Sequence, residues 1–373
     1  MSEENPKKTH HHIEINPLDE KKKKSMGNRI VVAAILIAVA LPCIILGSWF
    51  WFAFVAVALG IAAYEVLKAP QKKYKWYIWV FTYLAIYAFT FWFVIKSNVS
   101  SYMTYLDKKE MFDASTMPSI EEPTWYPSLQ NHFVHPWVSW YGIAFCFGVY
   151  ALFAILHEDF TWQDVTYFFT MTFIIGLGFQ AILFCRYVPY AMIFNDKTGT
   201  LTDAMKGEIL TSASFKYWKS LIFFVFVVLT AYMNDTFAYF VGMLFGKHHM
   251  SPRISPNKTW EGFVGGIIGG ALVGFAFLMI CEVNDAEALP SMKIFGSSGQ
   301  WWIPLILSLT LPLVANLGDF TFSMIKRFYG FKDYSHVLGA HGGVLDRADS
   351  LLFCMIYASI FAVFTVNGWN FFR

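Results

Sequence analysis

Long apolar runs set the limits on what this chain can fold into. Nine stretches, 30–47, 49–67, 77–95, 138–156, 165–185, 219–241, 262–281, 302–322 and 350–369, are rich in Leu, Ile, Val, Phe and Ala and carry few charges. About 20 apolar residues are what a helix needs to cross roughly 30 Å of hydrocarbon, and in lipid only a helix or a closed barrel satisfies its own backbone. The predicted fold is therefore all-α, a polytopic integral membrane helical bundle of about nine transmembrane helices. Composition agrees: 56% of residues are hydrophobic and 14% charged, against about 25% charged in soluble domains. Secreted, fibrous and disordered classes are excluded, and no nucleic-acid partner is expected.

The first two runs are separated only by Gly47 and Ser48, which predicts a tight hairpin. Residues 1–28 hold the run Lys21–Lys24 and no apolar stretch, and read as a disordered cytosolic tail with no cleavable signal. Residues 29–218 form an amino-terminal transmembrane region, and 219–373 a carboxy-terminal transmembrane region whose loops hold the motifs read below. The five cysteines fall in or beside apolar runs without a C-x-x-C pair, and read as small core residues. His10–His12, His248 and His249 read as solvated, and Glu65, near the end of the second run, as an interfacial charge.

Orientation follows from where Lys and Arg collect. With the amino terminus in the cytosol, the tail and the loops 68–76, 157–164, 246–261 and 324–349 hold 18 basic residues, against 8 on the opposite side. The positive-inside rule then puts those four loops in the cytosol.

Two polar segments stand out, because ionisable groups at membrane depth are costly. The first, 234–262, contains Asn234 and Asp235 inside an apolar run, followed by Ser255, Lys258, Thr259 and Glu261. The second, 316–349, is dense in charge. If its helix continues through Arg327, then Asp319, Ser323 and Lys326 fall at i, i+4 and i+7 on one face, with Arg327 beside them. Asp346 and Asp349 share a face where the last run begins, and between lie Lys332 and the run Gly339, Ala340, His341, Gly342, Gly343. Glycines there let backbone approach a bulky polyanion closely. Hard carboxylate oxygens without Cys suit Mg²⁺ better than zinc, and Mg²⁺ beside Lys and Arg equips phosphoryl or nucleotidyl transfer.

The pattern S-x-x-K-R-x4-K-D…H-G-G-x-x-D-R-x-D, met here from Ser323 to Asp349, resembles the signature of the phosphatidate cytidylyltransferase (CDP-diacylglycerol synthase) family, eukaryotic type. Residues 255–262 resemble that family's S-P-x-K-T-x-E-G element, and the resemblance extends over roughly 220–369. Ala348 stands where the family more often has a larger apolar residue. The resemblance implies transfer of a cytidylyl group from CTP to phosphatidic acid, dependent on Mg²⁺, often with a second cation, near the cytosolic face of a bilayer. It also implies roles. Asp319, Asp346 and Asp349 hold the metal, while Ser323, Lys326, Arg327 and Arg347 act at the reacting phosphates. Asp235, Ser255, Lys258, Thr259, Lys332, His341, Gly342 and Gly343 contact substrate.

Alternatives stay open on residues alone. Asp346 with Arg347, Asp319 with Lys326, and Lys332 with Asp333 can also be read as structural ion pairs, the lesser reading beside metal and phosphate binding. Asp235 either faces a bound cation or belongs to a helix break capped through Asn234, and His341 either meets a phosphate or bonds to backbone. A CTP-dependent polyprenol kinase would share such a core but lacks the full motif run. A CDP-alcohol phosphotransferase needs a different acidic spacing, and a transporter would show repeated halves. The acids Glu3, Glu4, Asp19 and Glu20 argue against a mitochondrial presequence and for the endoplasmic reticulum. A homodimer is compatible with the sequence.

Overall fold

The computed structural model describes residues 20–46, 48–91, 137–187, 213–284, 286, 288, 294–295, 301–339 and 342–366. The described part of every apolar run read above lies in a helix: α1 Glu20–Leu46, α2 Ser48–Lys68, α3 Trp76–Phe91, α4 Trp137–Leu156, α5 Trp162–Tyr187, α6 Ala213–Phe245, α7 Trp260–Val283, α8 Trp302–Phe328 and α9 Leu345–Val366. Five segments are long and apolar enough to cross a bilayer: Phe50–Lys68, Trp162–Arg186, Leu221–Phe245, Trp260–Val283 and Trp302–Phe328. The all-α class stands. The sequence reading did not include one short antiparallel hairpin between α6 and α7, β1 His249–Ser251 paired with β2 Ser255–Thr259. Helix α1 starts at Glu20, inside the stretch read as tail; the rest of that tail, and the loop readings over 97–136 and 188–212, lie outside the described residues.

Close packing of α6 on α7 follows from glycine spacing. Gly262, Gly266, Gly270 and Gly274 recur every fourth residue and are buried along one stripe of α7. A Cβ at Gly266 would stand 2.8–2.9 Å from the Asn234 carbonyl oxygen, Ala238 Cβ and Asn234 Oδ1, and one at Gly270 would stand 3.1 Å from the Thr230 carbonyl oxygen. Small residues let the two backbones meet where lipid tails are as apolar as any side chain. This contact holds Asn234 and Asp235 against α8. There Asn316 Nδ2 donates to Asn234 Oδ1 at 3.0 Å and to the Pro312 carbonyl at 2.8 Å, so two buried amides join α6 and α8. The remaining packing runs α8 on α9, α9 on α5 and α5 on α6, around one contiguous apolar core.

The four loops assigned above to one side meet at one end of the bundle. Lys72 and Tyr74, in the α2–α3 loop, reach Asp164 at the start of α5 at 2.7 and 2.8 Å. Asp164 also accepts from the Thr161 N–H and hydroxyl at 2.8 Å, which ties the residue before α5 to its first turn. Gln71 Nε2 donates to the Tyr329 carbonyl at 3.4 Å, just beyond α8, and the Tyr167 and Tyr329 rings lie 4.9 Å apart. Arg327 Nε donates to the Ile254 carbonyl in the hairpin turn at 3.2 Å. Glu65 is corrected by the structure: it is fully buried and bonded to the segment before α9, because that segment supplies three donors to its carboxylate.

Candidate active site

Four helices and the hairpin converge on a cleft of about 340 Å³. Its polar wall is Asp235 from α6, Asn316 and Asp319 from α8, Asp346 and Asp349 from α9, and Asn257, Lys258 and Thr259 from β2; Ala238, Tyr239, Gly262 and Phe263 complete it. Helix α8 does continue through Arg327, to Phe328, which puts Asp319, Ser323 and Lys326 on one stripe. Ser323 Oγ donates to Asp319 Oδ1 at 3.3 Å along it. Helix α9 starts at Leu345, so Asp346 and Asp349 occupy its first turns, as their spacing requires.

Lysines and aspartates pair across elements rather than along them. Lys258 Nζ forms an ion pair with Asp319 Oδ2 and lies 4.1 Å from the centroid of the Phe320 ring. Lys326 Nζ meets Asp346 Oδ1 at 2.9 Å, with side chains 11% and 6% exposed. The ion pairs read from local spacing, Asp319 with Lys326 and Asp346 with Arg347, are replaced by these two longer-range ones, because β2 and the α8–α9 loop fold back over the helix ends. Among the described residues no ion pair engages Asp235 or Asp349. Asp235 takes Asn234 Nδ2 at 3.0 Å and Ser350 Oγ at 3.5 Å, and Asp349 Oδ1 takes the Ser350 N–H at 2.8 Å. Four carboxylates therefore face one cationic wall residue, Lys258, with Lys326 behind Asp346.

The first turn of α9 is stapled from both sides. Asp346 Oδ2 accepts the N–H groups of Tyr334 at 2.8 Å and Gly343 at 2.9 Å, closing the loop between α8 and α9. Gly342 turns with φ +81°, a left-handed conformation that a side chain rarely adopts. Tyr334 is buried in this loop with no hydrogen-bond partner for its hydroxyl among the described residues. Burial, then the charges of Asp346, Asp349 and Glu65, hold its phenol well above the usual range, so it stays neutral.

Not every residue read from the motif reaches the cleft. Asp235, Lys258, Thr259, Asp319, Asp346 and Asp349 line it. Thr259 also caps α7, its Oγ1 accepting the Gly262 N–H at 3.1 Å, and Ser255 pairs with Ser251 in the hairpin. Ser323, Lys326, Arg327, Lys332, Arg347, Gly342 and Gly343 stand outside the cleft wall among the described residues. Arg327 spends two donors on the carbonyls of Ile254 and Phe331, Lys332 and Arg347 are exposed, and Gly342 and Gly343 are buried. The polyanions those two glycines approach here are the protein's own carboxylates: Cβ atoms on them would meet Asp346 and Glu65. His341 lies outside the described residues. Sequence reasoning missed Asn316 as cleft wall and Glu65 as a buried anchor. For Glu65 the signal was present as a lone acid in an apolar run.

The donor set suits a hard divalent cation, since every free ligand is a carboxylate or amide oxygen. Among the described residues no three His, Cys, Asp or Glu side chains stand close enough to enclose one ion as they are. Asp319 is drawn to Lys258 and Asp346 to Lys326 instead. Each of those pairs uses one lone pair of its oxygen and leaves another.

The chain is similar to known proteins. Residues 27–365 match the cytidylyltransferase family. A phosphatidate cytidylyltransferase of Haemophilus influenzae is 27% identical over 347 residues, 91% of this chain and 100% of that protein. One of Staphylococcus saprophyticus is 37% identical over 145 residues, 39% of this chain and 50% of that protein. One of Staphylococcus epidermidis is 37% identical over 147 residues, 39% and 51% respectively. The matched part thus spans about half the length of the staphylococcal relatives and the whole of the Haemophilus one.

Proposed function

The chain belongs to the cytidylyltransferase family, and from that premise we propose that it transfers the cytidylyl group of CTP to phosphatidic acid, giving CDP-diacylglycerol and pyrophosphate. The activity is the one its relatives are named for. The observation that carries the reading is the meeting of Asp235, Asp319, Asp346, Asp349 and Lys258 in one cleft, at the end of an apolar bundle where a water-soluble nucleotide and a lipid headgroup can both arrive. A phosphate oxygen of phosphatidate attacks the α-phosphorus of CTP, and the bond to the bridging oxygen of pyrophosphate breaks. The attacking phosphomonoester is already anionic and needs no strong base. The obstacle is repulsion between two polyanions.

Asp319, Asp346 and Asp349, with Asp235 opposite, would hold Mg²⁺, and a second cation has carboxylate oxygens to spare. When bound, the ion neutralises triphosphate charge and steadies the leaving group. Lys258 sits on the cleft wall, where its ammonium turns from Asp319 to a phosphate. Lys326 and Arg327 fix the carboxyl end of α8, and Ser323 orients Asp319. Lys332 and Arg347 lie exposed near that end and draw the nucleotide in by long-range attraction. Gly342 and Gly343 shape the turn that delivers Asp346; with Ser255, Thr259 and His341 they complete the proposed substrate surface. The 18 to 8 asymmetry of basic residues supports a cytosolic active end, and the acid-bearing tail supports the endoplasmic reticulum. A homodimer fits this reading without being needed by it.

The test is transfer of label from CTP to phosphatidate by the purified protein. Label on the α-phosphorus should enter lipid, and label on the γ-phosphorus should leave with pyrophosphate. Entry of the γ-label into lipid would show a kinase instead. Asp349→Asn should abolish transfer while the protein stays folded.

A further inference from the structure

The reaction chemistry leaves Glu65 unexplained. It belongs to α2, far in sequence from every motif, and is fully buried. Its carboxylate is not ion-paired among the described residues. Oε1 accepts from Ser335 Oγ at 2.6 Å and the Val344 N–H at 2.9 Å, and Oε2 accepts the Leu345 N–H at 2.8 Å. Gly343 packs so closely that a Cβ there would overlap the same carboxylate. A carboxylate suits this place because the first N–H groups of a helix lack intrahelical partners and carry partial positive charge.

Leu345 stands four residues before Asp349, one turn away on the same face of α9. Fixing the Val344 and Leu345 N–H groups therefore fixes the rotation and depth at which Asp349 enters the cleft. Ser335 lies next to Tyr334, whose N–H is held by Asp346. Glu65 and Asp346 thus clamp the same loop at neighbouring residues. We infer that Glu65 is a positioning residue of the transfer site, its carboxylate setting the first turn of α9 and through it the place of Asp346 and Asp349. The inference rests on the proposed function for its catalytic consequence, but not for its structural one.

The experiment compares Glu65→Gln, Glu65→Asp and Ser335→Ala in the purified full chain. It reads kcat and KM for both substrates, and Mn²⁺ affinity without nucleotide by electron paramagnetic resonance. Glu65→Gln presents an amide N–H₂ to a backbone donor, so kcat should fall about 10–100-fold, as for a misplacement near 1 Å. Each KM should move less than about threefold, and Mn²⁺ should bind about tenfold more weakly, the usual effect of losing an outer support of metal ligands. Glu65→Asp keeps the charge but withdraws it by about one C–C bond, ~1.5 Å, and should be as defective as Glu65→Gln. Ser335→Ala removes one donor and should give a smaller loss in the same direction; it carries the test if the Glu65 variants do not fold. Wild-type kcat and Mn²⁺ affinity in Glu65→Gln, or full recovery in Glu65→Asp, overturns the inference, as does an unchanged Ser335→Ala where it stands alone. A parent protein that binds Mn²⁺ without transferring label from CTP would instead defeat the functional reading, leaving the Mn²⁺ comparison to judge Glu65.

Discussion

Removing Asp346 should cost more than removing its partner Lys326, and removing both should cost less than the sum. The pair is buried, at 11% and 6% side-chain exposure and 2.9 Å. In Asp346→Ala the Lys326 ammonium is left without its anion, and the N–H groups of Tyr334 and Gly343 lose their acceptor as well. Breaking one side of a buried pair typically costs about 3–5 kcal/mol, and the two orphaned donors put this variant at the upper end of that range. Lys326→Met leaves the carboxylate still bonded to two backbone donors, so a loss of about 1.5–3 kcal/mol is expected, the value of one hydrogen bond to a charged group. The double variant no longer buries an unpaired ammonium, and the cycle should return a coupling of about 2 kcal/mol. Equilibrium unfolding of the purified protein in mixed micelles, with cytidylyl transfer measured alongside, supplies all four corners. Additivity within about 0.5 kcal/mol would refute the pairing as a structural element. It would leave Asp346 with its two backbone donors as its structural role.

Three further outcomes are expected. Gly266→Val should part α6 from α7, since its Cβ falls 2.8 Å from the Asn234 carbonyl oxygen; overpacking of about 1–3 kcal/mol should appear in unfolding, with loss of transfer as Asp235 shifts. Chelation of divalent ions should stop transfer and leave the helical circular-dichroism signal unchanged, with Mg²⁺ restoring activity; restoration by Zn²⁺ alone would count against a hard carboxylate site. His336→Cys, exposed in the loop between α8 and α9, should react with a membrane-impermeant maleimide from the cytosolic face of sealed vesicles. Labelling only after the membrane is opened would reverse the orientation.

The membrane fold was legible in the chain because a bilayer tests each segment by itself: about 20 apolar residues span it or do not, whatever their neighbours. Hence the nine runs find their helices, and the stripe of Asp319, Ser323 and Lys326 follows from helical periodicity alone. The side shared by the loops was legible too, since alternation of spans and the bias of Lys and Arg are properties of sequence order.

Partnership was not legible, because it is decided by contacts between distant segments. Lys258 finds Asp319 across 61 positions and Lys326 finds Asp346 across 20, and nothing in local spacing prefers those pairs to their neighbours. Gly343 reads as room for a ligand until Glu65, 278 residues earlier, is seen to fill the space. A sequence states which groups can carry charge and which backbones can come close; the fold alone decides which carboxylate is bound to protein and which is left facing the cleft, because desolvation is set by what packs around each group and not by what precedes it.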